Sequence, residues 1–421
     1  MPTPEGRWRE AKGLNRSRKN RYNPSLSRLW TSKSREMNAY LSLFLVFLRL
    51  GLTSFGGPVA HIGFFREEFV SRRRWFSEAE YADKVALCQL IPGPASSQVG
   101  LLIGHSRAGY IGAFLAWLGF TLPSAAALAY LGITLANPNN LIPPLLLTLL
   151  KSIALAVVIQ AVLGMARSFC TTRLDRSLMI VSAGLLTAFS APWLTPVLIL
   201  AAGVIAMLDA NKYEPLRAPQ VTASGATIGW LSLFFAGLMV LPWIATLTGP
   251  YGQLIDGFYR AGALVFGGGH VVLPLLADTT VTAGLIGSET FISGYGAAQA
   301  VPGPLFTFAA FLGGGIFGTL AGALVATLAI FLPAVAILFG MLPIWEAIKA
   351  QPSIRVAVGG ANAAVVGVLL AALITMSLQT ISSVLQIVYV AGVFLLLERV
   401  KVPAWGLVLI SVILSYGLEI F

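Results

Sequence analysis

Long apolar stretches separated by short polar breaks dominate the chain. They fall at roughly 39–59, 81–103, 108–133, 144–167, 177–192, 194–208, 228–247, 254–276, 291–315, 317–341, 354–376, 380–397 and 403–420. A membrane-crossing helix needs about 20 apolar residues, so the pattern predicts an all-α, polytopic integral membrane protein of about thirteen segments. Composition strengthens that reading. The 421 residues are 57% hydrophobic and only 11% charged, whereas soluble proteins carry about 25% charged residues. Mean hydropathy is +0.81, which leaves too little polar surface to cover a water-soluble globule.

The distribution of charge orients the segments. Ten of the 28 Lys and Arg lie within residues 1–37, a polar stretch without the apolar core of a secretory signal. It reads as a disordered cytoplasmic arm rather than a nucleic-acid-binding tail. Threading the segments alternately places Arg107, Arg167, Arg173, Arg176, Lys212, Arg217, Lys349, Arg355, Arg399 and Lys401 inside. The loops near 134–143, 190–194, 248–253 and 377–380 hold no Lys or Arg and lie outside, as the positive-inside rule requires. The expected protein is a multi-pass inner (plasma) membrane protein with its N-terminus in the cytoplasm and its C-terminus outside. One loop disobeys: residues 60–80 carry Arg66, Arg72, Arg73 and Arg74. The conflict disappears if the first two segments are re-entrant hairpins, which leaves the later topology unchanged.

The chain also repeats itself. Arg49-Leu-Gly-Leu-Thr-Ser54-Phe55-Gly56-Gly57-Pro58 recurs 211 residues later as Arg260-Ala-Gly-Ala-Leu-Val-Phe266-Gly267-Gly268-Gly269. Gln89-Leu-Ile-Pro92-Gly93-Pro94 recurs 210 residues later as Gln299-Ala-Val-Pro302-Gly303-Pro304, and Gly104, Gly112 and Leu122-Pro123 recur at the same spacing. An odd number of crossings separates the copies, so the second is upside down relative to the first. The four-Arg loop supports this, since its counterpart at 277–290 has only Asp278 and Glu289 as charges. The expected organisation is a basic tail (1–37), a first repeat (38–208), a cytoplasmic linker (209–227) and an inverted repeat (228–421). Inverted repeats with matched Gly/Pro interruptions are the signature of secondary transporters whose site lies at the repeat interface.

Candidate chemistry follows from the interruptions. Pro-Gly-Pro inside an apolar segment cannot continue a helix, and backbone groups freed in hydrocarbon must face protein or a water-filled cavity. Ala95-Ser96-Ser97 and Leu305-Phe306-Thr307 would then open new half-helices whose N–H groups and dipole ends suit an anion. The Phe-Gly-Gly motifs allow close approach of a helix or a ligand, or a positive φ. Arg49 and Arg260 each lie within an apolar segment, where an Arg costs about 2.5–3.5 kcal/mol even on the lenient scale. Guanidinium suits bidentate capture of an oxyanion. Asp256 sits four residues before Arg260 and can neutralise it; Arg49 has no comparable partner, which makes it the better anion ligand. His270 is a weaker candidate for gating or proton carriage. Lys151 is expected to snorkel outward, and Asp83 and Lys84 to cap their segment. Cys88 and Cys170 permit at most one disulfide.

These paired motifs resemble the chromate ion transporter family in its two-domain, long-chain form. The resemblance covers roughly residues 38–420 and leaves the basic tail outside. It implies export of chromate from the cytoplasm, with sulfate or another oxyanion as the alternative substrate. A channel is a further alternative. Physics allows efflux without ATP: a dianion leaving a negative interior gains about 4.6 kcal/mol per 100 mV. A membrane-bound chromate reductase would need a flavin, haem or iron–sulfur site, which two isolated Cys and three scattered His do not supply. The expected partners are chromate or a related oxyanion and membrane lipids, with no nucleic acid, no cofactor and no resident metal. A homodimer is left open.

Overall fold

The computed structural model describes residues 24–137, 143–189, 191, 193–208, 224–266 and 269–419, without the side chains of 24–38 and 418–419. Gly267, Gly268, the linker at 209–223 and the first 23 residues of the basic tail lie outside the described residues. Among the described residues every regular element is helical. Five helices are long and apolar enough to cross a membrane, namely Ala95–Ala136, Pro144–Phe169, Gly225–Leu264, Leu320–Lys349 and Pro352–Thr380.

The first repeat opens with α1 (Pro24–Thr53), which begins inside the stretch expected to be an irregular tail. It stops at Ser54, and α2 (Gly57–Arg66), extended by a π turn at Glu67–Arg72, starts after a break. Gly56 and Gly57 take φ of 100° and 76° there, a left-handed turn that side-chain-bearing residues resist. α2 then runs back along α1. Phe47 of α1 stacks on Phe69 at 5.1 Å and meets Phe65 edge-on at 5.7 Å. The apolar segment at 39–59 is therefore the first arm and tip of a helical hairpin, as expected of a segment that turns back on itself.

A second hairpin follows. α3 (Glu78–Leu90) starts on a capping box, in which Ser77 and Glu80 satisfy each other's backbone amides. This capping role belongs to Ser77 and Glu80 and not to Asp83 and Lys84. Asp83 instead accepts from Trp345 Nε1 and Lys349 Nζ at 3.1 and 3.2 Å. α3 ends at Pro92-Gly93-Pro94, and α4 (Ala95–Ala136) begins immediately after, bending at Ala108 and Gly109. Three helices complete the repeat: α5 (Pro144–Phe169), α6 (Arg173–Ala188) and α7 (Leu194–Met207).

The second repeat reproduces this order. α8 (Gly225–Leu264) bends at Gly249 and its last part matches α1. α9 (Val272–Thr280) matches α2, and α10 (Ser288–Ala298) matches α3. A 3₁₀ turn at Leu305–Thr307 with α11 (Phe308–Phe317) and α12 (Leu320–Met341) matches the two halves of α4. A short α13 (Trp345–Lys349) leads to α14 (Pro352–Thr380), α15 (Val384–Leu395) and α16 (Ala404–Glu419), the counterparts of α5, α6 and α7. α3 and α10 start 210 residues apart, as do α7 and α16. The sequence repeat is thus a repeat of whole elements.

Packing follows the same symmetry. Gly51 lies against the carbonyl of Phe120, and Gly262 against that of Ile330, at matched offsets. Small residues let helix backbones approach this closely in the absence of a strong hydrophobic drive. Across the repeats, Gly132 of α4 sits on the Phe311 carbonyl of α11, and Gly296 of α10 on the Leu150 carbonyl of α5.

Candidate functional site at the hairpin tips

The tips of the hairpins meet in the middle of the molecule through two reciprocal hydrogen bonds. The Gly303 amide donates to the Ser54 carbonyl at 2.9 Å, and the Gly93 amide donates to the Val265 carbonyl at 2.7 Å. Val265 stands 211 residues after Ser54, and Gly303 stands 210 after Gly93. Each repeat therefore closes the other's break, the exchange expected of a two-fold relation. Both glycines have positive φ, 123° at Gly93 and 101° at Gly303, which points their amides across the interface. These two amides are consequently occupied and not available to an anion.

Side chains brace the tips. His61 bridges the Ser54 carbonyl at 3.2 Å and Ser96 Oγ at 3.3 Å. Gln98, fully buried, donates to the Pro92 carbonyl at 2.8 Å across the helix break. In the second copy His270 Nδ1 meets the Tyr295 hydroxyl at 2.5 Å, and Thr307 donates to the Pro304 carbonyl at 2.6 Å. Ser54 Oγ and Ser97 Oγ are buried without a hydrogen-bond partner.

Beside the tips lies a cavity of about 310 Å³. It gathers Phe55, Gly56, Gly57, His270, Gln299 and Gly303 from the motifs, with Gln160 and Val157 of α5 and the corner at Leu397–Trp405. Gln299 is half-buried, and its Nε2 atom has no acceptor. The N-terminus of α2 and the start of the 3₁₀ turn at Leu305 both open on this space. Among the described residues no carboxylate lines it, and the one charged lining residue is Lys401.

Lys401 was not singled out by sequence, because only the local backbone brings it here. α15 ends in a π turn at Leu396–Val400, after which Lys401 adopts φ of 63°. That reversal turns residues 401–405 onto the cavity, where Trp405 packs against Phe55 at 5.5 Å. Glu398 in the same turn accepts from Gln160 at 3.2 Å and from Arg167 at 3.1 Å. The carboxylate is held below its usual range, first by the Gln160 hydrogen bond, then by Arg167 and by the charge of Lys401. It is engaged at the rim while Lys401 has no ion pair among the described residues.

Several expected ligands lie elsewhere. Arg49 is partnered after all: it donates to the buried Glu68 at 2.5 Å. The same carboxylate takes Arg73 at 2.7 Å and lies 3.6 Å from Arg72. The pairing was legible in principle, since a hairpin with its tip at Ser54–Gly56 brings α2 back past Arg49. Arg260 pairs with Asp256 as the i,i+4 spacing implied. Neither Arg lines the cavity, nor do Pro92, Pro94, Pro302, Pro304 or Phe266. Gln89 is exposed on α3, away from it. Lys151 does not snorkel freely but pairs with Glu289 at 2.9 Å. Cys88 and Cys170 are free and buried.

Broken helical hairpins, a repeat-related pair of tips and a cavity between them define a multi-pass membrane protein with the build of a transporter. Comparison with known proteins names the group. The chromate transporter family profile matches residues 41–207 and 252–416, one match to each repeat. The chain belongs to that family. It is 30% identical over 352 residues to the chromate transport protein of Cupriavidus metallidurans, covering 80% of this chain and 83% of that one. The probable chromate transport protein of Synechococcus elongatus is 28% identical over 80% of this chain and 84% of its own. An uncharacterized transporter of Bacillus subtilis, YwrA, is 34% identical over 89 residues, half of its own length. No solved structure matches the chain.

Proposed function

We propose that this protein is a secondary carrier that exports chromate from the cytoplasm, and that the dianion binds in the cavity at the hairpin tips. The observation that carries the reading is Lys401, the one charged residue among the described lining of a cavity built from the paired motifs of both repeats. The Gln299 side chain lies beside it in the lining, and the helix start at Gly57 adds a positive dipole end. The names of the relatives supply the substrate.

Orientation and drive belong to the same proposal. Lys401 lines the cavity, Arg399 lies two residues before it, and Arg167 pairs with Glu398 in the same turn; the positive-inside rule assigns this basic cluster to the cytoplasm. With the N-terminus also inside, the C-terminus lies outside a cytoplasmic membrane. The membrane potential alone favours exit of a dianion by about 4.6 kcal/mol per 100 mV, with a proton gradient as a further source. Arg49, Arg72 and Arg73 against Glu67 and Glu68 leave a surplus of one positive charge there, which raises the local anion concentration. Arg49 and Arg260 act here as field and scaffold, not as direct ligands.

The test is uptake of labelled chromate and of labelled sulfate into inverted vesicles, at a set potential, with and without a pH gradient. Potential-driven chromate uptake supports the reading. Uptake of sulfate in preference to chromate replaces the substrate, and no uptake of either removes the function.

A further inference from the structure

A second cavity, of about 250 Å³, has two walls related to those of the first by the internal repeat, while its third wall is α9 and α10 of the second repeat. The first lies between α5 and the corner at 397–405; the second lies between α14 and the corner at 186–195. At an offset of 210 residues, Thr195 takes the place of Trp405, and Ala191 takes the place of Lys401. The two lie at different levels along α5. Ser288 Oγ donates to Gln379 near the end of α14, and the adjacent Glu289 pairs with Lys151 near the start of α5. The second cavity thus belongs to the start of α5, whereas the first lies at Val157 and Gln160, further along that helix.

Two differences break the symmetry. The first cavity is walled by the tips at Gly56, Gly57 and Gly303, and the second by α9 and α10 at Leu273, Pro274, Asp278 and Ser288. The charge is also reversed. Among the described residues Asp278 is the one charged residue lining the second cavity, and it has no ion pair or hydrogen bond there. The nearby cation at that end, Lys151, is already paired with Glu289.

We propose that the Asp278 cavity is the outward vestibule of the same transport path, and that the Asp278 carboxylate sets a low affinity for the dianion on that side. The inference rests on the proposed anion export and deepens it. Substrate is captured where Lys401 attracts it. When the two repeats exchange roles, the tips open instead toward 186–195 and α14. There the same anion meets Ala191 and a like charge, and it leaves. Like charges a few ångströms apart in a partly dehydrated space shift binding by about ten-fold or more. The carrier is therefore an exporter by affinity as well as by gradient.

The experiment measures half-saturation for labelled chromate from each face, using right-side-out and inverted vesicles. Asp278→Asn is expected to lower the outer-face value about ten-fold and leave the inner-face value unchanged. Ala191→Lys, which does not touch Asp278, should do the same. If either variant, inserted at the normal level, shifts neither face or shifts both equally, the assignment is overturned. Ala191→Cys should react with a membrane-impermeant thiol reagent added to intact cells, against the low background of buried Cys88 and Cys170. Failure to react overturns the outward opening. Should the wild type carry neither chromate nor sulfate, the substrate reading falls, and labelling at position 191 still decides whether this cavity faces out.

Discussion

Arg49 and Glu68 form an ion pair at 2.5 Å between the two arms of the first hairpin. Glu68 is buried and also holds Arg73, so losing Arg49 leaves it partnered. Among the described residues the second repeat has no such reserve: Asp256 is buried, its Oδ1 has no partner, and Arg260 is its one ion-pair partner.

The two arginines should therefore respond differently. Arg49→Gln is expected to insert normally with a small loss of thermal stability. Arg260→Gln should cost about 1–2 kcal/mol, allowing for its partial exposure, and lower the yield of folded protein. Asp256→Asn combined with Arg260→Gln should recover that yield. Fluorescence-detected gel filtration after heating reads all three, and equal losses for the two single variants would contradict the pairing scheme.

Lys401 combines a charge with a left-handed backbone, and a useful substitution changes one of them alone. Asn accepts positive φ more readily than most residues, so Lys401→Asn removes the cation with little strain. Its half-saturation for chromate from the cytoplasmic face should rise ten-fold or more at unchanged melting temperature. An unaltered value would move the anion site away from this cavity.

The reciprocal bonds at the tips depend on glycine. A Cβ at Gly303 would lie 2.9 Å from Ser124 Oγ, on a backbone with φ of 101°. Gly303→Ala should reduce transport at least ten-fold and lower the melting temperature by several degrees, given strain of about 1–2 kcal/mol. Gly63 is the control, since it sits within α2 and a Cβ added there would meet nothing within 4 Å. Ala there should be neutral or stabilising by about 0.5–1 kcal/mol.

Glu398 offers a pH test. Its folded-state carboxyl is held below the ordinary value by Gln160 and Arg167, so its contribution is complete above that ordinary value. It disappears as pH falls through the depressed one. The difference in melting temperature between wild type and Glu398→Gln should be constant from about pH 6 to 8 and shrink in strongly acid solution, below about pH 4. A difference that instead grew on acidification would reverse the assignment.

The hairpins and their meeting point were legible because Gly and Pro constrain the backbone wherever they occur, and they occur here in duplicate. Pro92-Gly93-Pro94 could not be continuous helix, and its copy at Pro302-Gly303-Pro304 located the partner. The site was less legible because its cation has no duplicate. Lys401 corresponds to Ala191, follows no motif, and reaches the cavity only through the π turn before it. Arg49 misled for a related reason. Its partner is 19 residues away, beyond any helical spacing, and becomes a neighbour only when the chain doubles back.

Because each break is closed by a carbonyl from the opposite repeat, neither half can complete itself. A polypeptide ending near residue 208 would leave the Gly93 amide unsatisfied, and one starting near 224 would leave that of Gly303 unsatisfied. The covalent connection between them contributes proximity and not the closing bonds. Two such fragments made together in one cell should find each other and restore function, whereas either made alone should be degraded or pair with a second copy of itself. The long chain is in this sense a tethered heterodimer.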